Sequence, residues 1–298
     1  MTRRLAARIC LLLAAVPLGT RGAEAPVHFR LGMSENMIST DVNEGDAKLA
    51  MEAWRAAVAK QSGIVVDLDI LPIAKLVRAV QQRQVDAFTT TAVEFPEVEN
   101  YASHYLVMDE ASAKGGDEYL LLVHDDSGIR SVGELRHKTL NVFDHPKMCL
   151  ASIWLESLLS SSNSGATPDF FGRITTQTKL SRVVLPVYFR QTDACLVTRR
   201  GFGTMCELNP QLGRKLRVVA SSPKLISSVM TFHKDLPADR RQTMQTAILS
   251  LSKTAAGQQA LILFETSQLI AGDSSVLRNT LDLLKAHDQL RLKAASRK

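Results

Sequence analysis

Cysteine is scarce in this chain, four residues in 298, which excludes a fold held together by a disulfide framework. Aromatic residues make up only 5%, and no Lys/Arg cluster is interleaved with them, so a nucleic-acid-binding surface has no support. No stretch approaches the roughly 20 apolar residues that a membrane-spanning helix needs, since the apolar run from Ile9 to Val16 is cut short by Pro17. The usual constellations of catalysis are missing too. There is no Gly-x-Ser-x-Gly turn and no Walker loop, and Gly201-Phe202-Gly203 lacks the third glycine of a dinucleotide-binding turn. The histidines, at positions 28, 104, 124, 137, 145, 233 and 287, form no His-x-His or His-x3-His pair, whereas a zinc site needs at least three convergent ligands. No catalytic residue, cofactor or metal is therefore expected.

What is present belongs to an ordinary globular protein, 45% hydrophobic and 22% charged. A chain near this size buries roughly 75% of its unfolded surface and needs no staples. Met1 to Ala25 has three zones: Arg3, Arg4 and Arg8, then the short apolar core, then Pro17, Gly19 and the small-residue end Ala23-Glu24-Ala25. That pattern is a cleavable secretory signal, so the mature chain is expected to be exported and soluble. Its removal takes four arginines and one glutamate, lowering the charge from +6 to about +3, and most of the basic excess disappears. Cys149, Cys195 and Cys206 then remain in an oxidising compartment. Cys195 with Cys206 is the favoured pair, the alternative being that all three are small buried hydrophobes.

The mature chain reads as α/β. Strand patterns at Val27 to Leu31, Ile64 to Ile70 and Val85 to Phe88 alternate with helical ones: Ala50, Trp54, Ala57 and Val58 share one face, and Ile73, Leu76, Val77 and Val80 share another. Such alternation predicts mostly parallel sheets covered by helices. After Asp125-Asp126-Ser127-Gly128 the rhythm restarts, with a strand at Thr139 to Phe143, a helix from about Lys147, and a strand at Asp193 to Val197. Arg83-Gln84-Val85-Asp86-Ala87-Phe88 and Arg190-Gln191-Thr192-Asp193-Ala194-Cys195 form an internal repeat, each copy leading from a helix into a strand. Two similar, hinge-linked lobes follow, one made of residues 26–124 plus 222–298 and the other of 125–221, with a cleft between them suited to trapping a ligand.

In α/β sheets, ligands bind beyond the carboxyl ends of the parallel strands, where helix N-termini present unpaired N–H groups. The loops expected there carry Ser34 and Asn36, then Thr89, Thr90 and Thr91, in the first lobe, and His145, Lys147, Thr198 and Arg199 in the second. Hydroxyls with Lys147 and Arg199 suit a small anion or zwitterion. Asp86 and Asp193 read as turn or helix-end residues.

Ser127 to Lys138, Phe202 to Pro210, Val218 to Pro223, Asp235-Leu236-Pro237 and Thr254-Ala255-Ala256-Gly257 together resemble, in order and spacing, the phosphate/phosphite/phosphonate-binding branch of ABC-transporter solute-binding proteins. The resemblance covers most of the mature chain and implies the type II periplasmic binding fold, a periplasmic location, a monomer, and delivery of a phosphate- or phosphonate-like ligand to an ABC permease. A partnership with a membrane sensor, or an exported enzyme on the same scaffold, are the alternatives. The family's Ser-Thr-Ser-Gly ligand motif falls at His145-Pro146-Lys147-Met148, so a cation stands where the family has hydroxyls. Its ligand histidine falls near Thr178 to Leu180, none of which is histidine.

Overall fold

In the computed structural model, residues 27–38, 44–109, 116–161, 167–263 and 266–296 are described. The signal read in Met1 to Ala25 lies outside them. In chain order the elements are β1 (Val27–Ser34), α1 (Glu44–Ser62), β2 (Ile64–Leu71), α2 (Ile73–Gln81), β3 (Ala87–Thr91), β4 (Ala102–Asp109), β5 (Tyr119–His124) and β6 (Thr139–Phe143). They continue with α3 (Ala151–Ser161), α4 (Thr167–Phe170), β7 (Arg173–Gln177), α5 (Leu180–Tyr188), β8 (Ala194–Thr198), α6 (Arg199–Leu208), α7 (Pro210–Lys215) and β9 (Leu216–Ser221). The chain ends with β10 (Ser228–His233), α8 (Ala238–Leu249), α9 (Ala255–Leu263), β11 (Gln268–Gly272) and α10 (Arg278–Ala295).

Strands β11, β4, β10, β3, β1 and β2 lie in that order in one sheet, and β7, β6, β8, β5 and β9 in a second. Each sheet has one strand between two parallel neighbours, β1 between β2 and β3, β6 between β7 and β8. The strand beyond runs antiparallel: β10 beside β3, β5 beside β8. Both sheets are therefore mixed, which corrects the expectation of mostly parallel pairing. The physical reason is that β5 and β10 enter directly from the segments that cross between the sheets, rather than through a crossover helix.

The division at residue 124 is corrected as well. Strand β5, wholly buried, is a member of the second sheet, so the first crossing precedes Tyr119. The two crossings meet as a short antiparallel bridge, with the Asp117 amide donating to Leu225 O at 3.0 Å and the Leu225 amide donating to Asp117 O at 2.8 Å. Gly116 beside it has φ +83°, and a Cβ there would stand 2.8 Å from Leu225 O, so both backbone conformation and space call for glycine.

The sequence repeat has one structural cause at both copies. Arg83 and Arg190 take φ of 56° and 59° just past α2 and α5, and the amides of Gln84 and Gln191 reach back to Ala79 O and Pro186 O at 2.8 and 2.7 Å. This is a Schellman ending, built here without glycine. Asp86 then accepts from the Arg30 amide on β1 at 2.9 Å, and Asp193 from the Thr139 amide on β6 at 2.8 Å. Pro186 sits inside α5, which continues past it to Tyr188.

Apolar clusters cover both faces of each sheet. Trp54, Ala57, Val58, Met244, Ala247 and Ile248 pack on one face of the first, and Leu76, Val80 and Phe95 on the other. Trp154, Leu155 and Leu159 cover one face of the second, Val183, Val184 and Val187 the other. Cys195 lies in this last cluster with Cys206 packed against it, and both are free thiols, as is Cys149, so the favoured disulfide is not formed. Helix α10 joins the halves: Leu281 packs on the first sheet's core, Leu284 on the second's, and His287 meets Glu156 of α3 at 2.7 Å.

Candidate functional site

Thr198 ends β8, and its hydroxyl accepts from the Gly201 amide at 3.0 Å, so it is the N-cap of α6. Phe143 ends β6, where the chain turns through Pro146–Met148 before α3 begins at Ala151, later than the helix start expected near Lys147. In that turn the His145 ring stacks on Phe143, with centroids 5.1 Å apart, and its Nδ1 accepts from the Lys147 amide at 3.2 Å. These two strand ends lie side by side because β6 and β8 are parallel neighbours. They form one wall of a cleft of about 680 Å³, which Asp117, Leu180, Arg200 and Thr204 extend. Gln258, Ile262, Thr266 and Ser267, from α9 and the segment before β11, border it from the side of the first sheet.

Of the residues expected to bind ligand, the structure brings His145, Lys147 and Thr198 together in this cleft. Thr89 lies elsewhere, bordering a smaller apolar cavity in the first half. Thr89, Thr90 and Thr91 belong to β3 rather than to a loop after it, and Thr90 is fully buried. Ser34, Asn36 and Thr91 turn onto a partner inside the chain. The buried carboxylate of Glu94 accepts from Ser34 Oγ at 2.8 Å, Asn36 Nδ2 at 2.7 Å, the Thr91 amide at 3.0 Å and Thr91 Oγ1 at 2.8 Å. The donors were legible as an anion cradle, and the anion they hold is the protein's own. Arg199 pairs with Glu118 at 2.8 Å, and its neighbour Arg200 is the arginine that borders the cleft.

The turn carrying Lys147 is fixed from behind. Tyr119, at the start of β5, donates its buried hydroxyl to Lys147 O at 2.8 Å, while its amide donates to Ser222 Oγ at 2.8 Å in the second crossing. Cys149 Sγ lies 3.3 Å from Ser227 O. Burial pushes the Cys149 thiol up to about 12, so it is no thiolate at neutral pH.

A sequence profile of the family described as ABC transporter, phosphonate, periplasmic substrate-binding protein matches residues 37–277. The chain belongs to that family. The fold agrees. A binding-protein component of an ABC phosphonate transporter from Pseudomonas aeruginosa superposes with TM-score 0.59 at 16% identity, over 88% of this chain and 87% of that one. A Xanthomonas citri protein bound to ATP gives 0.64 at 14% identity, over 89% and 98%. A Prochlorococcus marinus protein in complex with methylphosphonate gives 0.58 at 13% identity, over 87% and 97%. No match is found among curated proteins. The two sheets with their linking crossings are thus the type II periplasmic binding fold.

For a phosphonate-family binding protein, the residues that sequence reading missed are instructive. Arg200 and Thr204 follow Thr198 on the first turns of α6 and carried a signal, since a helix opening after a parallel strand should bring its first two turns to the ligand side. Gln258, Thr266 and Ser267 lie on the far wall, and nothing local in the sequence says that α9 faces β8. Glu94 was silent because its partners Ser34 and Asn36 stand 60 and 58 residues away.

Proposed function

We propose that this ABC-transporter substrate-binding protein takes a phosphonate-class anion between its two halves and acts without catalysing a reaction. His145, Lys147, Thr198 and Arg200 would hold the anionic group. One half would comprise residues 27–109 and 228–277, the other 119–221, with the paired crossings as the hinge. The observation that carries this reading is the position of Lys147, where the turn after β6 brings a cation to the same cleft as the N-terminus of α6. The Lys147 ammonium and the positive end of the α6 dipole both favour an anion there. The N-terminal signal would be cleaved, and the mature protein would work as a monomer docking on its permease.

A thermal-unfolding screen of the mature protein with methylphosphonate, phosphate, phosphite, sulfate, amino acids and sugars tests the ligand class. A cognate anion at about 100 times its Kd adds roughly 2.7 kcal/mol. That raises Tm by about 5 °C for a chain of this size. Stabilisation by an amino acid or a sugar, with no response to any phosphorus oxyanion, would overturn the reading.

A further inference from the structure

Lys147 borders two cavities, the cleft and a smaller one against the crossings. The second of these is also bordered by Met108 of β4, and Met108 in turn borders a third, of about 50 Å³, lying between the first sheet and helices α1 and α9. Met33, Met51, Trp54, Leu68, Met230 and Leu261 are among its walls. Thr89 and Thr266 are the only polar side chains among the described residues that line it. Thr266 also borders the cleft, so Met108 and Thr266 stand in the walls between the chamber and the ligand region. A polar or charged group entering it would lose its hydration without a counter-charge. An apolar group fits: cavities lined this way stay dry and take up apolar ligands, and 50 Å³ holds about four water-sized groups. Methionine walls also adapt to the shape of what enters.

We propose that the ligand is amphiphilic, an anion of the phosphonate class whose head lies at Lys147 and whose apolar substituent, of about three to five carbons, passes Met108 into the methionine-lined chamber. This rests on the anion-binding reading above and narrows it. Ile262, whose side chain is exposed, adds an apolar surface to the cleft itself.

Titration calorimetry with methyl-, butyl- and 3-aminopropylphosphonate tests the proposal. Each buried methylene tightens binding by about fourfold, so butylphosphonate should bind at least 10-fold more tightly than methylphosphonate. The 3-aminopropyl compound has the same length but ends in an ammonium, and should lose that gain. Leu68→Phe, which fills the chamber from the edge strand β2, should bring the butyl-to-methyl ratio below about 3. Leu269→Phe does so from β11 if the first variant unfolds. Equal affinity for the methyl and butyl compounds, or an unchanged ratio in a folded variant, would overturn the amphiphilic ligand while leaving the phosphonate reading intact. Binding of none of the three would overturn the phosphonate reading itself.

Discussion

Asp86 is only 5% exposed, between Arg30 at 2.8 Å and Arg240 at 3.5 Å. Burial by itself would raise its pKa. The side-chain and backbone hydrogen bonds from Arg30, and the charges of Arg30 and Arg240, outweigh it and hold the carboxyl below its ordinary 3.8. A group depressed on folding stabilises the native state above its unfolded pKa, and that contribution is lost as pH falls through the folded value. Asp86→Asn should therefore cost about 2 kcal/mol at pH 7, through lost charged hydrogen bonds. The difference from wild type should shrink below pH 4 in urea-unfolding series, and a pH-independent difference would show that the charge is not what Asp86 contributes. At this scale the sequence was partly legible. Asp86 and Asp193 were read as turn or helix-end residues, and the structure adds the bonds that each makes across to β1 and β6. Ser34, Asn36 and Thr91 were recognisable as donors, yet which oxygen they meet is a question of tertiary distance that local pattern does not encode.

Between elements, the paired crossings and the turn carrying Lys147 are coupled through Tyr119. Strand β5 begins where the crossings pair, and the phenol of its first residue holds Lys147 O at 2.8 Å. Tyr119→Phe keeps the ring and removes this bond together with the one that the phenol oxygen accepts from the buried Leu150 amide at 3.4 Å. It should lower stability by about 1 kcal/mol. As a positioning change, it should also weaken methylphosphonate binding about 10-fold, with a second-site control, Asp86→Asn, lowering stability but not affinity. Unchanged binding by Tyr119→Phe would mean that the turn is held without it. The duplicated helix ending around Arg83 and Arg190 was legible because six residues of local backbone carry it. A second duplication was not read: His124 and His233 end β5 and β10, and each Nδ1 accepts from the amide two residues on, at 3.1 and 3.2 Å. Asp126 and Asp235, two residues beyond each histidine, then pair with Arg190 and Arg83 at 3.4 and 2.7 Å. That motif joins segments remote in sequence, and His-x-Asp alone is too common to notice.

At the scale of the molecule, hydrophobic periodicity announced an α/β protein with two similar halves. It could not say that β5 and β10 are inserted between strands from elsewhere, because a strand buried on both faces lacks the alternation that marks antiparallel surroundings. Nor could it place α10, whose apolar positions pack against the cores of both sheets. What the whole arrangement achieves is to bring the turn after β6, the start of α6 and the face of α9 around one cleft. The claim that this cleft binds a phosphorus oxyanion through Lys147 is tested most directly by calorimetric titration of methylphosphonate into the wild-type protein and Lys147→Ala. A charge-assisted contact of about 1.5 to 3 kcal/mol predicts a single saturable site in wild type and a Kd roughly 10- to 150-fold weaker in the variant. Equal affinity in the two proteins would contradict the account.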